Sequence, residues 1–372
     1  MALIGSTPAL TREGECKMDA RRMRALFALL LAALIIFGVG AFGSAQSEAS
    51  VLLTLSVMDV GQGDSILIST SDGHAMLVDG GPADASGRVF EAIRKAGIDK
   101  LDVLISTHPH ADHIGGLACV LDGMPVGKVI DSGKVHTSKT YEGYLEKILT
   151  KDIPFALGRA GSSFVLGPAT VKILWPSEPL ADNLNDCSVV VRVIYGKFSA
   201  LLAGDIEAGS EQTLVRRKLL SPAVVLKVAY HGSDTSTTSA FLSVLRPAIA
   251  IIYAGAGNSY GHPTANVLAR LKASGAKVYH TDTDGTVSVR SDGATWQVET
   301  ERTDEKKAAV PAPLPEPASG AGQKYYGSKN SDVFHYPWCK HVASIKPANL
   351  GVFASRQEAI DKGYRPCKVC KP

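Results

Sequence analysis

From residue 51 to residue 298 short apolar runs rich in β-branched residues recur between turn signals. Leu52–Val57, Ser65–Ser69, Ala75–Val78 and Val103–Ser106 read as strands because each is brief and bounded by polar or Gly-containing stretches. Arg88–Ala96, Gly209–Leu219, Ser239–Leu245 and Ala265–Ala273 place apolar residues at helical spacing. Val189–Tyr195, Ser199–Leu202, Val224–Val228 and Ala248–Ile252 read as further strands, and Thr286–Val289 pairs with Thr295–Val298. Hairpins first and strand–helix units afterwards predict an α/β protein whose sheets are covered by helices. Two similar halves fit this order, although no repeat is visible in the text.

The pattern breaks at both ends. Arg21, Arg22 and Arg24 precede an uncharged apolar run, Ala25 to Phe42, and Gly43-Ser44-Ala45 follows it. Basic segment, apolar segment and small-residue site predict a secretory signal cut after Ala45, behind an upstream extension in which Met18 or Met23 is the start. The alternative is an uncleaved N-terminal anchor that leaves the chain facing outside. Residues 300–323 are charged and then Pro/Ala/Gly-rich, with four prolines, which predicts an extended linker. The expected division is therefore a targeting segment over 1–45, a body over 46–299, a linker over 300–323 and a short module over 324–372.

Charge sharpens that division. The chain carries +3 overall, with +2 in residues 1–45 and +6 in residues 324–372, which leaves −5 for 46–323. A basic tail behind a mildly acidic body favours a polyanionic partner such as nucleic acid for the tail, although a solvated surface patch is the commoner source of such charge. Six cysteines in 372 residues exclude a disulfide-rich miniature scaffold, and 45% hydrophobic residues with 20% charged exclude wholesale disorder.

The chemistry concentrates where a strand ends. Residues 108–113 read His108-Pro-His110-Ala-Asp112-His113, three imidazoles and a carboxylate in one tight loop. These donor types suit zinc and neighbouring divalent metals. The loop can serve two ions, His108 and His110 on one, Asp112 and His113 on the other. Chemistry on such ions needs no Ser/His/Asp nucleophile triad.

This loop resembles the His-x-His-x-Asp-His motif of the metallo-β-lactamase superfamily. Leu77-Val78-Asp79-Gly80-Gly81 resembles its first motif, Leu202-Ala203-Gly204-Asp205 its strand-end aspartate, and Val228-Ala229-Tyr230-His231-Gly232-Ser233 its final histidine motif. Met58–Ser65, Asn185–Ser188 and Tyr260-Gly261-His262-Pro263 are similar to the branch containing the extracellular hydrolase domain of bacterial competence DNA-uptake proteins, without their transmembrane channel. The resemblance implies an αββα sandwich over about residues 51–298. It implies metal ligation by His108, His110, Asp112, His113, Asp205 and His231, with Asp205 bridging, and support from Asp79, Asn185 and Ser188. Asp112, Asp205 and His262 are the expected catalytic positions. His262 is a late ligand, a substrate contact or a loop brace, and Ser233, Asp234 or His262 orients substrate or protonates the leaving group. Many members carry a further histidine between the first cluster and the bridging aspartate. Only His136 lies in that interval here, in another context, so two divalent metals, zinc or manganese, are expected, or one if the first shell is incomplete. His74, His136 and His280 have no constellation around them, and Cys119 and Cys187 are expected to be buried thiols.

The tail offers a second set. His335-x-x-x-Cys339 and Cys367-x-x-Cys370 make two close pairs of soft ligands, suited to a closed tetrahedral zinc site, with His341 in reserve. A module this short buries too little core to fold unaided, so a structural metal is expected. A disulfide or a redox Cys-x-x-Cys is the alternative. Tyr364-Arg365-Pro366-Cys367-Lys368-Val369-Cys370 resembles the metal-binding domain of the DNA-repair protein Ada, with His335 standing where that family has its first cysteine. The resemblance implies a zinc knuckle; methyl transfer is not expected of an exported chain.

The combined expectation is a secreted hydrolase that cleaves a phosphodiester, DNA by preference, through metal-activated hydroxide. It would have no stable membrane partner once the signal is removed. The alternatives are hydrolysis of a thioester, lactone or β-lactam, and a catalytically weak metal- and DNA-binding protein. The oligomeric state is not encoded in any pattern found.

Overall fold

The computed structural model describes residues 51–302, 324–336, 339–343 and 345–367. The predicted signal segment, most of the linker and Cys370 lie outside the described residues. Among the described residues no helix is long and apolar enough to cross a membrane.

The body contains two mixed sheets. The first has eight strands, in the order β15-β14-β1-β2-β3-β4-β5-β6. Here β1 is Leu53–Val57, β2 Ile66–Thr70, β3 Ala75–Val78, β4 Val103–Ser106, β5 Val129–Asp131 and β6 Phe155–Leu157, while β14 (Val287–Ser291) and β15 (Trp296–Thr300) return late in the chain. The second has seven strands, in the order β13-β12-β11-β10-β9-β8-β7. Its members are β7 (Ser163–Leu166), β8 (Ala169–Trp175), β9 (Val190–Tyr195), β10 (Phe198–Leu202), β11 (Val225–Lys227), β12 (Ile249–Ile252) and β13 (Lys277–His280).

Period-two alternation explains the layering. In β10, Ala200 and Leu202 join the core shared by the two sheets, whereas Leu201 joins the core beneath the outer helices. Helices Ala208–Arg216, Ser239–Leu245 and Ala265–Ala273 cover that outer face through Leu214, Phe241, Leu242, Leu245, Val267 and Leu271. Helix Ser86–Lys95 covers the first sheet through Val89 and Ile93, four residues apart on one stripe. This is the expected αββα sandwich.

Each sheet switches once, near its centre, from antiparallel to parallel pairing. β2 and β3 are antiparallel, and β3, β4, β5 and β6 are parallel. Likewise β9 and β10 are antiparallel, and β10 to β13 are parallel. Ligand sites in α/β sheets form outside the carboxyl ends of strands where the connectivity switches. Asp79 follows β3, the 108–113 loop follows β4, Asp205 follows β10 and His231 follows β11.

The tail has a four-stranded sheet in the order β18-β16-β17-β19, from Leu350–Phe353, Tyr325–Ser328, Val333–His335 and Arg365–Pro366. Its apolar cluster is small, Phe334, Phe353 and Ala359 with Tyr325 and Tyr364 packed on it.

One expectation is corrected. Cys187 is buried, but Cys119 is exposed. Helix Leu117–Gly123 buries Leu117, Val120 and Leu121, which turns position 119 outward.

Candidate metal centre

Asp205 is the hub of the body site. Its Oδ2 lies 3.2 Å from His113 Nε2, 3.3 Å from His231 Nε2 and 3.9 Å from His108 Nε2. His231 Nε2 also lies 3.3 Å from Asp112 Oδ2, and His108 Nε2 lies 2.9 Å from His110 Nδ1. Pairwise contacts thus link all six expected ligands, but only His113, Asp205 and His231 among them have donor atoms that are all mutually close. The tightest group of donor atoms, all within 4.8 Å of one another, comprises Asp64, His113, Asp205 and His231. Asp64 is the member that the sequence reading did not assign.

The loops that carry these groups are fixed by backbone. Gly63 has φ +132°, and a Cβ there would sit 2.1 Å from the Asp112 carbonyl oxygen, which accepts a bond from the Asp64 amide at 3.2 Å. Only glycine allows that approach. Tyr230 and His231 both take left-handed φ values, 49° and 52°, in the turn after β11. This unfavourable geometry swings the imidazole of His231 inward.

Behind the ligands stands a layer of support. Asp79 accepts bonds from the Thr107 amide at 2.8 Å and its hydroxyl at 2.6 Å, and its Oδ2 meets His113 Nδ1 at 2.8 Å. That contact fixes which nitrogen of His113 faces the site. Ser188 Oγ accepts from the Asp205 amide at 3.0 Å and lies 3.3 Å from His108 Nδ1, so one hydroxyl serves ligands from both sheets. Asn185 is further out, with its amide on Glu207 at 3.2 Å. His262 lies at the rim, its ring edge-on to Tyr230 at 5.6 Å, and its Nδ1 is buried with no hydrogen bond. It is not among the convergent donors. His136 is close enough to help depress the pKa of His110, behind burial and His113 and against Asp112 and Asp205.

The electrostatics fit a cation. Burial opposes charge on His113, yet Asp205, Asp64, Asp79 and Asp112 together hold its pKa well above the usual imidazole range. Burial likewise opposes charge on His231, but Asp205 and Asp112 raise it to about 9. His108, buried and beside His113, is pushed well below its ordinary value and stays neutral, as a ligand must. Asp64 Oδ1 and both ring nitrogens of His231 are buried without a hydrogen bond. Buried carboxylates in excess, with nitrogen and oxygen donors left unsatisfied, are what a divalent metal completes.

Lys227 is the other residue the sequence reading missed. Its side chain is fully buried beside Asp64 and Asp205. The signal was available: a lysine within the apolar run Val224–Val228 needs a buried partner.

In the tail, β17 and β19 pair in parallel with Phe334 beside Pro366, so the next residues, His335 and Cys367, fall side by side. Cys339 Sγ lies 3.4 Å from His335 Nδ1, and donor atoms of His335, Cys339 and Cys367 lie within 4.8 Å of one another. Cys339 and Cys367 are not joined by a disulfide. Burial lowers the pKa of His335, which favours the neutral, ligating ring. His341 lies 5.7 Å away, ring to ring.

Comparison with known proteins agrees with both halves. The model of the metallo-beta-lactamase superfamily matches residues 58–256, and that of the metal binding domain of Ada matches residues 316–372. Competence protein ComA of Neisseria gonorrhoeae is 32% identical over 245 residues, covering 64% of this chain and 32% of its own length. Recombination protein 2 of Haemophilus influenzae is 32% identical over 242 residues, covering 63% of this chain and 28% of its own. The chain thus spans about a third of the length of these relatives. The bifunctional transcriptional activator/DNA repair enzyme AdaA of Bacillus subtilis is 34% identical over 70 residues, covering 19% of this chain and 31% of its own. With the superfamily match spanning more than half of its residues, the chain belongs to the metallo-beta-lactamase superfamily, as a hydrolase-family body followed by an Ada-type zinc-binding domain.

Proposed function

We propose that the protein is an exported, metal-dependent phosphodiesterase that acts on DNA. The observation that carries the metal chemistry is the convergence of His113, Asp205 and His231 from the ends of both sheets onto one point. His108, His110, Asp112, His113, Asp205 and His231 would hold one or two zinc or manganese ions. Such ions supply a Lewis acid and a water of lowered pKa. The chain's own contribution is positional: Asp79 sets the face of His113, Ser188 ties His108 to Asp205, and His262 offers an unpartnered Nδ1 at the rim for substrate or proton.

The choice of DNA is supported by two separate parts of the chain. The body is similar to competence and recombination proteins, and the tail to a DNA repair enzyme. The tail's +6 would attract phosphate in a salt-sensitive way. Its zinc would be held by His335, Cys339, Cys367 and Cys370. The Arg21–Ala45 signature supports export, and a mature protein beginning at Gln46 is expected on N-terminal sequencing.

The test is supercoiled plasmid incubated with the purified chain and Mn²⁺ or Zn²⁺. Nicking that chelator stops, and that an Asp205→Ala variant lacks, is the expected result. Intact plasmid with turnover of a thioester, lactone or β-lactam would replace the substrate class. Metal and DNA binding with no turnover would make the chain a binding protein.

A further inference from the structure

Under the histidines lies an ion pair that ligation does not account for. Lys227 closes β11 and is fully buried. An ammonium has three donors and no acceptor. Here Nζ donates to the Gly204 carbonyl at 2.8 Å and to Asp205 Oδ1 at 3.3 Å, and it contacts Asp64 Oδ2. Three acceptors meet three donors, which leaves Lys227 no proton to offer a substrate.

The consequence falls on Asp205. Its Oδ1 faces Lys227, while its Oδ2 faces His113, His231 and His108. The two oxygens are thus assigned to different tasks. Asp64 is itself anchored: its amide donates to the Asp112 carbonyl, and its carbonyl accepts from the Gly81 amide at 2.8 Å. The amide of the next residue, Ser65, donates to the hydroxyl of Tyr253, which follows β12 of the second sheet, at 3.0 Å. The pair also spans the sandwich, since Asp64 precedes β2 of the first sheet and Lys227 belongs to the second.

We propose that Lys227, anchored by Asp64, is a positioning residue for the metal: it occupies Oδ1 of Asp205 and presents Oδ2 alone to the cations. This rests on the reading of the cluster as a metal site. A carboxylate held this way cannot chelate one ion through both oxygens, and its direction is set before any ion arrives. Groups that orient ligands from behind typically govern metal affinity by about 10–100-fold.

The double substitution Asp64→Leu/Lys227→Met tests it in the full chain. It removes one charge of each sign, so net charge is kept, and apolar replacement of a whole buried ion pair is often neutral or stabilising. Mn²⁺ is the probe, followed by electron paramagnetic resonance, because nitrogen and oxygen donors accept it and the thiolates of the tail do not favour it. The expected result is Mn²⁺ binding weakened by about 10–100-fold, with the melting temperature of the metal-free chain unchanged or higher. Unchanged affinity would overturn the proposal. So would loss of binding in Asp64→Leu with none in Lys227→Met, which would make Asp64 a direct ligand. Should the double variant not fold, Lys227→Arg keeps the charge but cannot reproduce the three-point contact. It should weaken Mn²⁺ binding and alter the bound-ion spectrum; identical affinity and spectrum would contradict the role. A wild-type chain that takes up no Mn²⁺ would refute the metal site itself, a different failure.

Discussion

The two donor clusters of this chain are built on opposite terms. In the body, four mutually close groups hang from the ends of strands whose cores are large and continuous across two sheets. The fold exists first, and Asp79, Ser188 and Lys227 hold the ligands ready. In the tail, His335, Cys339 and Cys367 sit beside an apolar cluster of three buried residues. There a bound metal would supply what the core lacks. Excess carboxylate marks a site that uses its ion; paired thiolates mark one that is held together by it.

Chelation should separate them most sharply. In the full chain, removing metal should abolish amide-exchange protection over the described strands of the tail while β1–β4 and β9–β12 stay protected. Tail strands that remain protected with the cysteines oxidised would turn the module into a disulfide fold and end the comparison. Next in size is Asp79→Asn, which leaves the metal in the tail untouched but frees the His113 ring. Metal affinity of the body should drop by about 10–100-fold, read by competition with a chromogenic chelator; an unchanged affinity would make Asp79 merely structural.

A smaller effect is expected from pH. In the metal-free chain the folded pKa of His231 is raised to about 9 and that of His113 is raised as well. Imidazole in the unfolded chain titrates near about 6.5. The folded state therefore binds these protons more tightly. The His231 stabilisation is complete below about pH 6.5 and is lost as pH climbs through about 9, and that of His113 is lost in the same direction above the ordinary imidazole range. The melting temperature of the metal-free body should fall over that window, and saturating metal should flatten the dependence. A flat profile without metal would show that the carboxylates do not create the predicted field. The smallest effect concerns thiols. In zinc-loaded protein a maleimide should label exposed Cys119 and spare Cys339 and Cys367; labelling of all three would deny the tail its ligands.

Much of this was legible in sequence where one element carries its own signal. Ala75–Val78, Val103–Ser106, Ser239–Leu245 and Ala265–Ala273 fall at the expected boundaries. The stretch from 117 to 184 was not read into elements. β5 and β6 have only three residues each, too few for any period to show. Helix Lys139–Thr150 buries a stripe of Tyr141, Tyr144 and Ile148, whose tyrosines do not stand out as apolar. The site divides in the same way. His108–His113 is visible because its ligands are adjacent, while Asp205 and His231 needed the order of motifs around them. Asp64 looks like a turn residue after Gly63, and Lys227 like an interruption of a strand. Each acquires meaning only through the other, across 163 positions of chain and two sheets.

The central claim is that the ends of both sheets jointly hold metal in the body, independently of the zinc proposed for the tail. Native mass spectrometry of the zinc-loaded full chain, beside an Asp205→Ala/His231→Ala variant, tests it most directly. Both substituted residues come from the second sheet alone. The account predicts that the variant loses all body metal, although the 108–113 loop is intact, and keeps the single zinc of the tail. Equal metal content in the two proteins would contradict it.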